Sequence, residues 1–172
     1  MEQQLSLRKW REEDIDRVVA LANNPRIAQY LDDGFPHPYS EADGRAFLQK
    51  IREADEYHLF RAICLDGLFI GSIGLHPKSG IQRHVLEIGY WLGEPFWGRG
   101  IMSWAIQEMC ALGFAQAGVK RITAGIMAHN LGSQRALEKA GFKQEARLEK
   151  GYCKYGQYYD NVVYAILHPD WR

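Results

Sequence analysis

The chain has 172 residues, 47% hydrophobic and 24% charged, with 21 basic side chains against 21 acidic ones and a formal net charge of zero. That size supports one domain with a full core, and the balance excludes a chain-wide basic field for nucleic acid or an acidic tail. Cys64, Cys110 and Cys153 are odd in number and lack metal-ligand spacing, so reduced thiols in the cytoplasm and no metal are expected.

The N-terminus, MEQQLSLRKW, carries no signal-peptide core. No run of about 18 apolar residues is present to span a membrane. A soluble cytoplasmic protein, with no membrane or nucleic-acid partner, is the expectation.

LSLRKW alternates and predicts a first strand. Residues 12–23 place Ile15, Val18, Val19 and Ala22 at helical spacing, and Pro25 is expected to end that helix. FPHPYS is a stiff loop, because its prolines fix φ and restrict the residues before them. Ser40 is placed to cap a helix reaching about residue 54, with Asp43 completing a variant capping box. YHLFRAICL and LFIGSIGLHP are apolar strands joined by Asp66-Gly67, a strong hairpin signal. KSGIQRH is a polar loop and VLEIGYWL a further strand. After the helix IMSWAIQEMCALGF come the strand RITAGIM and the helix NLGSQRALEKAGF. Asn130 stands near the start of that last helix and Gly141 past its end. Strands at about 142–152 and 158–167 close the pattern. There is no internal repeat or linker, so residues 1–172 are expected to form a single domain. The order mixes hairpins with strand–helix–strand crossovers, which predicts an α/β (α+β) sheet covered by helices.

The stretch EPFWGRGIMSWA carries the chemistry. Ser, Thr, Asp or Asn normally precedes a helix and bonds its free N–H groups; here Gly98, Arg99 and Gly100 stand there instead. A strand entering a glycine turn and then a helix leaves several N–H groups and the positive end of the helix dipole facing one place. Phosphate is the natural guest. The plain alternative is a tight turn whose amides bond water. The Walker pattern is absent. The dinucleotide fingerprint has Ser103 in place of its third glycine, and the next strand lacks the acidic ribose ligand, so NAD binding is poorly supported.

EIGYWLGEPFWGRGIMSWA resembles the acetyl-CoA-binding segment of the GNAT acetyltransferase superfamily, whose hallmark is Gln/Arg-x-x-Gly-x-Gly/Ala. The hallmark falls on Trp97, Gly98, Arg99, Gly100, Ile101 and Met102, and Met102 departs from the usual small residue. NLGSQRALEKAGF is similar to the next hallmark, Asn-x-x-Ser…Glu-Lys-x-Gly-Phe. The WGRG form, FPHPYSEAD and DNVVYAILHPDW resemble the ribosomal-protein N-terminal acetyltransferase subfamily. The resemblance spans nearly the whole chain in order. It implies a mixed sheet of about seven strands with a splayed pair, flanked by about four helices. It also implies that the pantetheine arm of acetyl-CoA pairs near Tyr90, Trp91 and Leu92, with the pyrophosphate on the amides of 97–102.

The implied reaction is direct transfer of acetyl from the thioester to a neutral amine, helped by proximity, by a backbone N–H near Leu92 on the carbonyl oxygen and by a base. Glu87 is the candidate base, a strand-edge carboxylate being the plain reading, and His84 and His129 are alternatives. The helix tyrosine that serves many family members as thiol acid is replaced by Leu137. Ser133 is then the candidate proton donor or thiol-side hydrogen-bond partner. Asn130 is a pantetheine contact, an N-cap or both, and Arg135 is a candidate for a CoA phosphate. Phe35 to Tyr39 either borders the acceptor entrance or packs over the first helices. Tyr152, Tyr155, Tyr158 and Tyr159 form an acceptor wall or a homodimer contact, or simply pack. The leading acceptor, by resemblance alone, is the α-amino group of a protein or peptide. The rivals are a small amine (polyamine, amino acid or antibiotic) and a non-catalytic acyl-CoA-binding module.

Overall fold

Asp66 and Gly67 adopt φ of 51° and 80°, the doubly positive turn that matches strand twist. They join β2 (Leu59–Leu65) to β3 (Leu68–Pro77) as an antiparallel pair. The computed structural model describes residues 4–54 and 58–171; Tyr57, the first residue of the predicted strand, lies outside them. β1 (Leu5–Arg8) pairs with β2, and β4 (Val85–Leu92) pairs antiparallel with β3 from Leu86 to Leu92. With β5 (Arg121–Met127), β6 (Lys143–Lys154) and β7 (Gln157–Leu167), these make one seven-stranded sheet in the order β1-β2-β3-β4-β5-β7-β6.

One join in that sheet is incomplete. β4 and β5 are parallel and pair only from Val85↔Arg121 to Glu87↔Thr123. Beyond Glu87, β4 stays with β3 as far as Leu92↔Gly71, while β5 follows β7 as far as Met127↔Asn161. The right-handed twist of neighbouring strands then carries the two apart. The expected splay is present, and it begins at Glu87.

Helices cover both faces. On one, α4 (Ile101–Phe114) and α5 (Leu131–Lys139) pack Ile106, Met109 and Leu137 onto Ile73, Leu75, Leu86 and Ile122, all nearly or fully buried. On the other, α1 (Ile15–Ala22) and α3 (Glu41–Glu53) enclose Trp10, Val18, Leu48 and Phe69. Each buried aliphatic or aromatic side chain contributes roughly 1.5–3 kcal/mol of transfer free energy. Ser40 and Asp43 form the expected reciprocal capping box at α3.

Two readings of the N-terminal segment need correction. Residues 12–14 form a separate 3-10 turn before α1, because the buried Asp14 carboxylate accepts the Arg11 N–H at 2.8 Å and the Arg8 Nη1 and Nη2 N–H groups at 2.7 and 2.6 Å. Pro25 opens a helix rather than ending one. It is the first residue of α2 (Pro25–Ala28), where a missing N–H costs nothing, and Asn24 Oδ1 accepts the Arg26 N–H at 2.8 Å. No described helix is long and apolar enough to cross a membrane.

Candidate active site

β4 leads through a 3-10 turn, Glu94–Phe96, into Trp97, Gly98, Arg99 and Gly100. Gly98 and Gly100 have φ of 74° and 76°, a region that strains any side-chain-bearing residue. Nothing lies within 4 Å of a Cβ built at either position. The glycines therefore answer to backbone conformation, not crowding. Gly100 is the N-cap of α4 and supplies no side-chain cap, so the N–H groups of the first turn are left for an external partner. Ile101 is buried and Met102 packs against the core beneath α4 and α5, which accommodates its departure from a small residue.

The turn is braced from two sides. The Trp97 indole N–H donates to the Leu92 carbonyl at 2.7 Å. The Arg26 guanidinium lies 5.5 Å from the Trp97 ring and ion-pairs with Glu94, which also accepts from Asn24 Nδ2 at 2.7 Å. Trp97, expected as a CoA contact, thus holds the loop's shape through its indole nitrogen. Trp97→Phe removes one hydrogen bond of about 1 kcal/mol. CoA affinity measured by calorimetry should weaken about fivefold, with Tm little changed.

From this turn a cleft of about 1220 Å³ follows the opening between β4 and β5 to the other face of the sheet. It brings together Glu87, Tyr90, Trp91, Leu92, residues 97–102, Asn130, Ser133 and Arg135. Gly93 N–H donates to Ile70 O at 2.8 Å. Strand alternation then turns the Leu92 N–H to the opposite edge, toward the opening.

On α5, Asn130 is the N-cap, its Oδ1 accepting the Ser133 N–H at 3.2 Å. Ser133 Oγ lies 2.7 Å from the Tyr90 hydroxyl, and burial, the dominant influence, holds that phenol far above its usual range. Leu137 is completely buried in the first core, so the helix offers no hydroxyl there.

Glu87 stands opposite His76 on β3 and Thr123 on β5, and it ion-pairs with Lys78, both side chains being well exposed. His76 is a cleft residue that sequence reasoning missed. Burial and then the neighbouring His58 pull its imidazole below the ordinary value, with Glu87 opposing, so it stands neutral at pH 7. Counting β3–β4 register back from the polar loop is the signal that would have found it. The two histidines expected as alternative bases divide. His129 lines the cleft between the rings of Tyr30 (5.3 Å) and Tyr159 (4.8 Å), whereas His84 packs against Trp171 (5.7 Å), away from it.

Phe35 and Tyr39 pack against the core of the α1–α3 face. Tyr39 is buried in the second core, its phenol pushed up to about 12 by burial and by Asp43. The Phe35 ring sits 5.0 Å from Tyr39 and 5.8 Å from Trp91. Residues 30–33, just before that loop, line the cleft. Tyr152 is the aromatic of the final hairpin that turns into the site: its hydroxyl would lie 2.1 Å from a Cβ at Gly125 on β5. Tyr155 and Tyr158 are exposed. Lys154, nearly buried, donates to Asp33 Oδ1 at 3.0 Å and Asp32 O at 3.2 Å, tying the hairpin to the segment after α2.

Charge divides along the cleft. Arg99, Arg135 and Lys139 line the glycine-turn end, and among the described residues the carboxylates that line the cleft (Asp32, Asp33 and Glu87) lie at the other, where Lys78 pairs with Glu87 and Lys154 with Asp33.

Comparison with known proteins agrees with this fold. The family model described as an acetyltransferase (GNAT) domain matches residues 4–143. The chain is 36% identical to the probable N-acetyltransferase YjcK of Bacillus subtilis (strain 168) over 124 residues, 72% of this chain and 68% of that one. It is 31% identical to the ribosomal protein uS5-alanine N-acetyltransferase of Escherichia coli (strain K12) over 102 residues, 58% of this chain and 53% of the relative. A crystal structure of a GNAT-family acetyltransferase from Bacillus anthracis superposes with a TM-score of 0.82 at 27% identity, covering 95% of this chain and 94% of that one. The chain belongs to the GNAT acetyltransferase family and is an N-acetyltransferase.

Proposed function

We propose that the protein transfers the acetyl group of acetyl-CoA, in the cytoplasm, to the α-amino group of a protein or peptide. The observation that carries this reading is the opening between β4 and β5, which starts at Glu87 and ends on the uncapped glycine turn. Acetyl-CoA supplies an activated acyl carbonyl. The amides of residues 98–102, with Arg99 and Arg135 nearby, hold its phosphates. The free edge of β4 holds the pantetheine arm, and the Leu92 N–H donates to the carbonyl oxygen as charge develops on it. Glu87, at the vertex, takes the proton of the attacking amine directly or through water.

The acceptor end favours one amine class over another. A polyamine needs a surplus of negative charge, and here Glu87 is paired with Lys78 and Asp33 with Lys154, which leaves little of one. A neutral α-amino group, with a pKa of about 7.7–8.0, needs no such surplus.

The test is thiol release from acetyl-CoA with peptides carrying free or blocked N-termini, spermine and free amino acids. Turnover confined to free N-terminal peptides is the expected result. Turnover on spermine alone would replace the acceptor, and tight CoA binding with no turnover on any amine would make the protein a binding module.

A further inference from the structure

Tyr90 and Ser133 meet across the opening. One comes from β4 and the other from the first turn of α5, both line the cleft, and their oxygens lie 2.7 Å apart. Either oxygen can donate by geometry alone; chemistry chooses. A phenol is the stronger acid and an alkyl hydroxyl oxygen the better acceptor. Burial also keeps the phenol protonated at any working pH. Tyr90 therefore donates to Ser133 Oγ, and the serine proton is left to point elsewhere. The serine backbone is fixed as well, because its N–H is held by Asn130 Oδ1.

We propose that Tyr90 is a positioning residue that aims the Ser133 hydroxyl at the thiolate leaving the acetyl-CoA thioester. The proposal rests on the acetyl-transfer reading above. In the step, the amine nitrogen forms the new C–N bond, the C–S bond breaks, and its electron pair passes to sulfur. The amine proton goes to Glu87 or water. Ser133 keeps its proton, because an alkyl alcohol is a weaker acid than a thiol, whose pKa is about 8.5. It donates a hydrogen bond to the sulfur anion, and the thiol is completed by a proton from solvent. A strand tyrosine and a helix serine together thus serve the leaving group where Leu137, fully buried, has no hydroxyl to give.

The test is the titration of the CoA thiol bound to the protein, followed by the ultraviolet absorbance of the thiolate. It is run for the wild type, Tyr90→Phe, Ser133→Ala and the double variant, beside kcat and KM. The bound thiol should titrate about one pH unit higher in S133A and part of the way there in Y90F. kcat should fall about tenfold in S133A and about threefold in Y90F, with KM for acetyl-CoA unchanged. The double variant should match S133A, because Tyr90 acts only through the serine. A thiol titration unmoved by Y90F, or losses that multiply in the double variant, overturns the proposal. Should Y90F fail to fold, fluorotyrosine at position 90 keeps the shape and strengthens the donor. It should move the thiol titration downward, and no movement again overturns the role. A wild-type protein that binds no CoA removes the reading of the whole cleft; normal binding and turnover with an unmoved titration removes only Tyr90.

Discussion

Replacing Glu87 by glutamine is expected to lower kcat about a hundredfold while leaving KM for acetyl-CoA within about a factor of two. The carboxylate sits at the vertex where β4 and β5 stop pairing, and it lines the cleft there. Glutamine keeps the shape and loses the ability to take a proton. A positioned base contributes about 10²–10⁴-fold, and the lower end applies because water still reaches a half-exposed side chain. Stability should hardly move, since an exposed pair such as Lys78–Glu87 contributes about 0–1 kcal/mol. Steady-state kinetics with a free N-terminal peptide checks the rate, and calorimetry checks CoA affinity. A loss under threefold would transfer the role to another group. His76, directly opposite and held neutral by its burial, is then the residue whose replacement by asparagine should be severe.

What the sequence discloses and what it hides follow from the range of the interactions. Asp66-Gly67, the Ser40–Asp43 capping box and the glycine turn are encoded within a few residues, and each is found where local chemistry puts it. Pro25 is also local, but its meaning depends on Asn24. With a side-chain cap in front of it, a proline starts a helix as readily as it stops one. The facing of His76 and Glu87 is a matter of register across a loop. The Lys154 tie to Asp33 joins residues that local pattern cannot connect, and the Tyr90–Ser133 bond crosses two elements that the sheet holds apart. The loop from Phe35 to Tyr39 was legible only as two readings. The packing of Phe35 and Tyr39 against Trp91 and Phe69 rests on side chains far off in sequence, which local pattern does not reach. Trp97 belongs to the turn as expected, yet its indole nitrogen faces the Leu92 carbonyl, a choice of rotamer that no motif encodes.

Gly100→Val should weaken CoA binding about a hundredfold, equivalent to about 2.7 kcal/mol. Gly100 has φ 76° and ψ −3° at the N-cap of α4. A left-handed residue with a side chain costs roughly 1–2 kcal/mol, and a β-branched one more. The turn can keep its shape under that strain or relax by rotating the next N–H groups away from their common focus; both routes reduce affinity. The fold has little reason to fail. Nothing lies within 4 Å of the added Cβ, and Ile101, Ala105, Ile106 and Met109 still anchor α4 in the core. Gly118 supplies the control. It has φ 82°, open space around its Cβ position, and no place in the cleft lining. Gly118→Val should therefore cost comparable stability in a thermal melt and leave CoA affinity unchanged. If both variants lose affinity alike, strain is acting through the fold as a whole. If neither does, the amides after Gly98 are not what grips the phosphates.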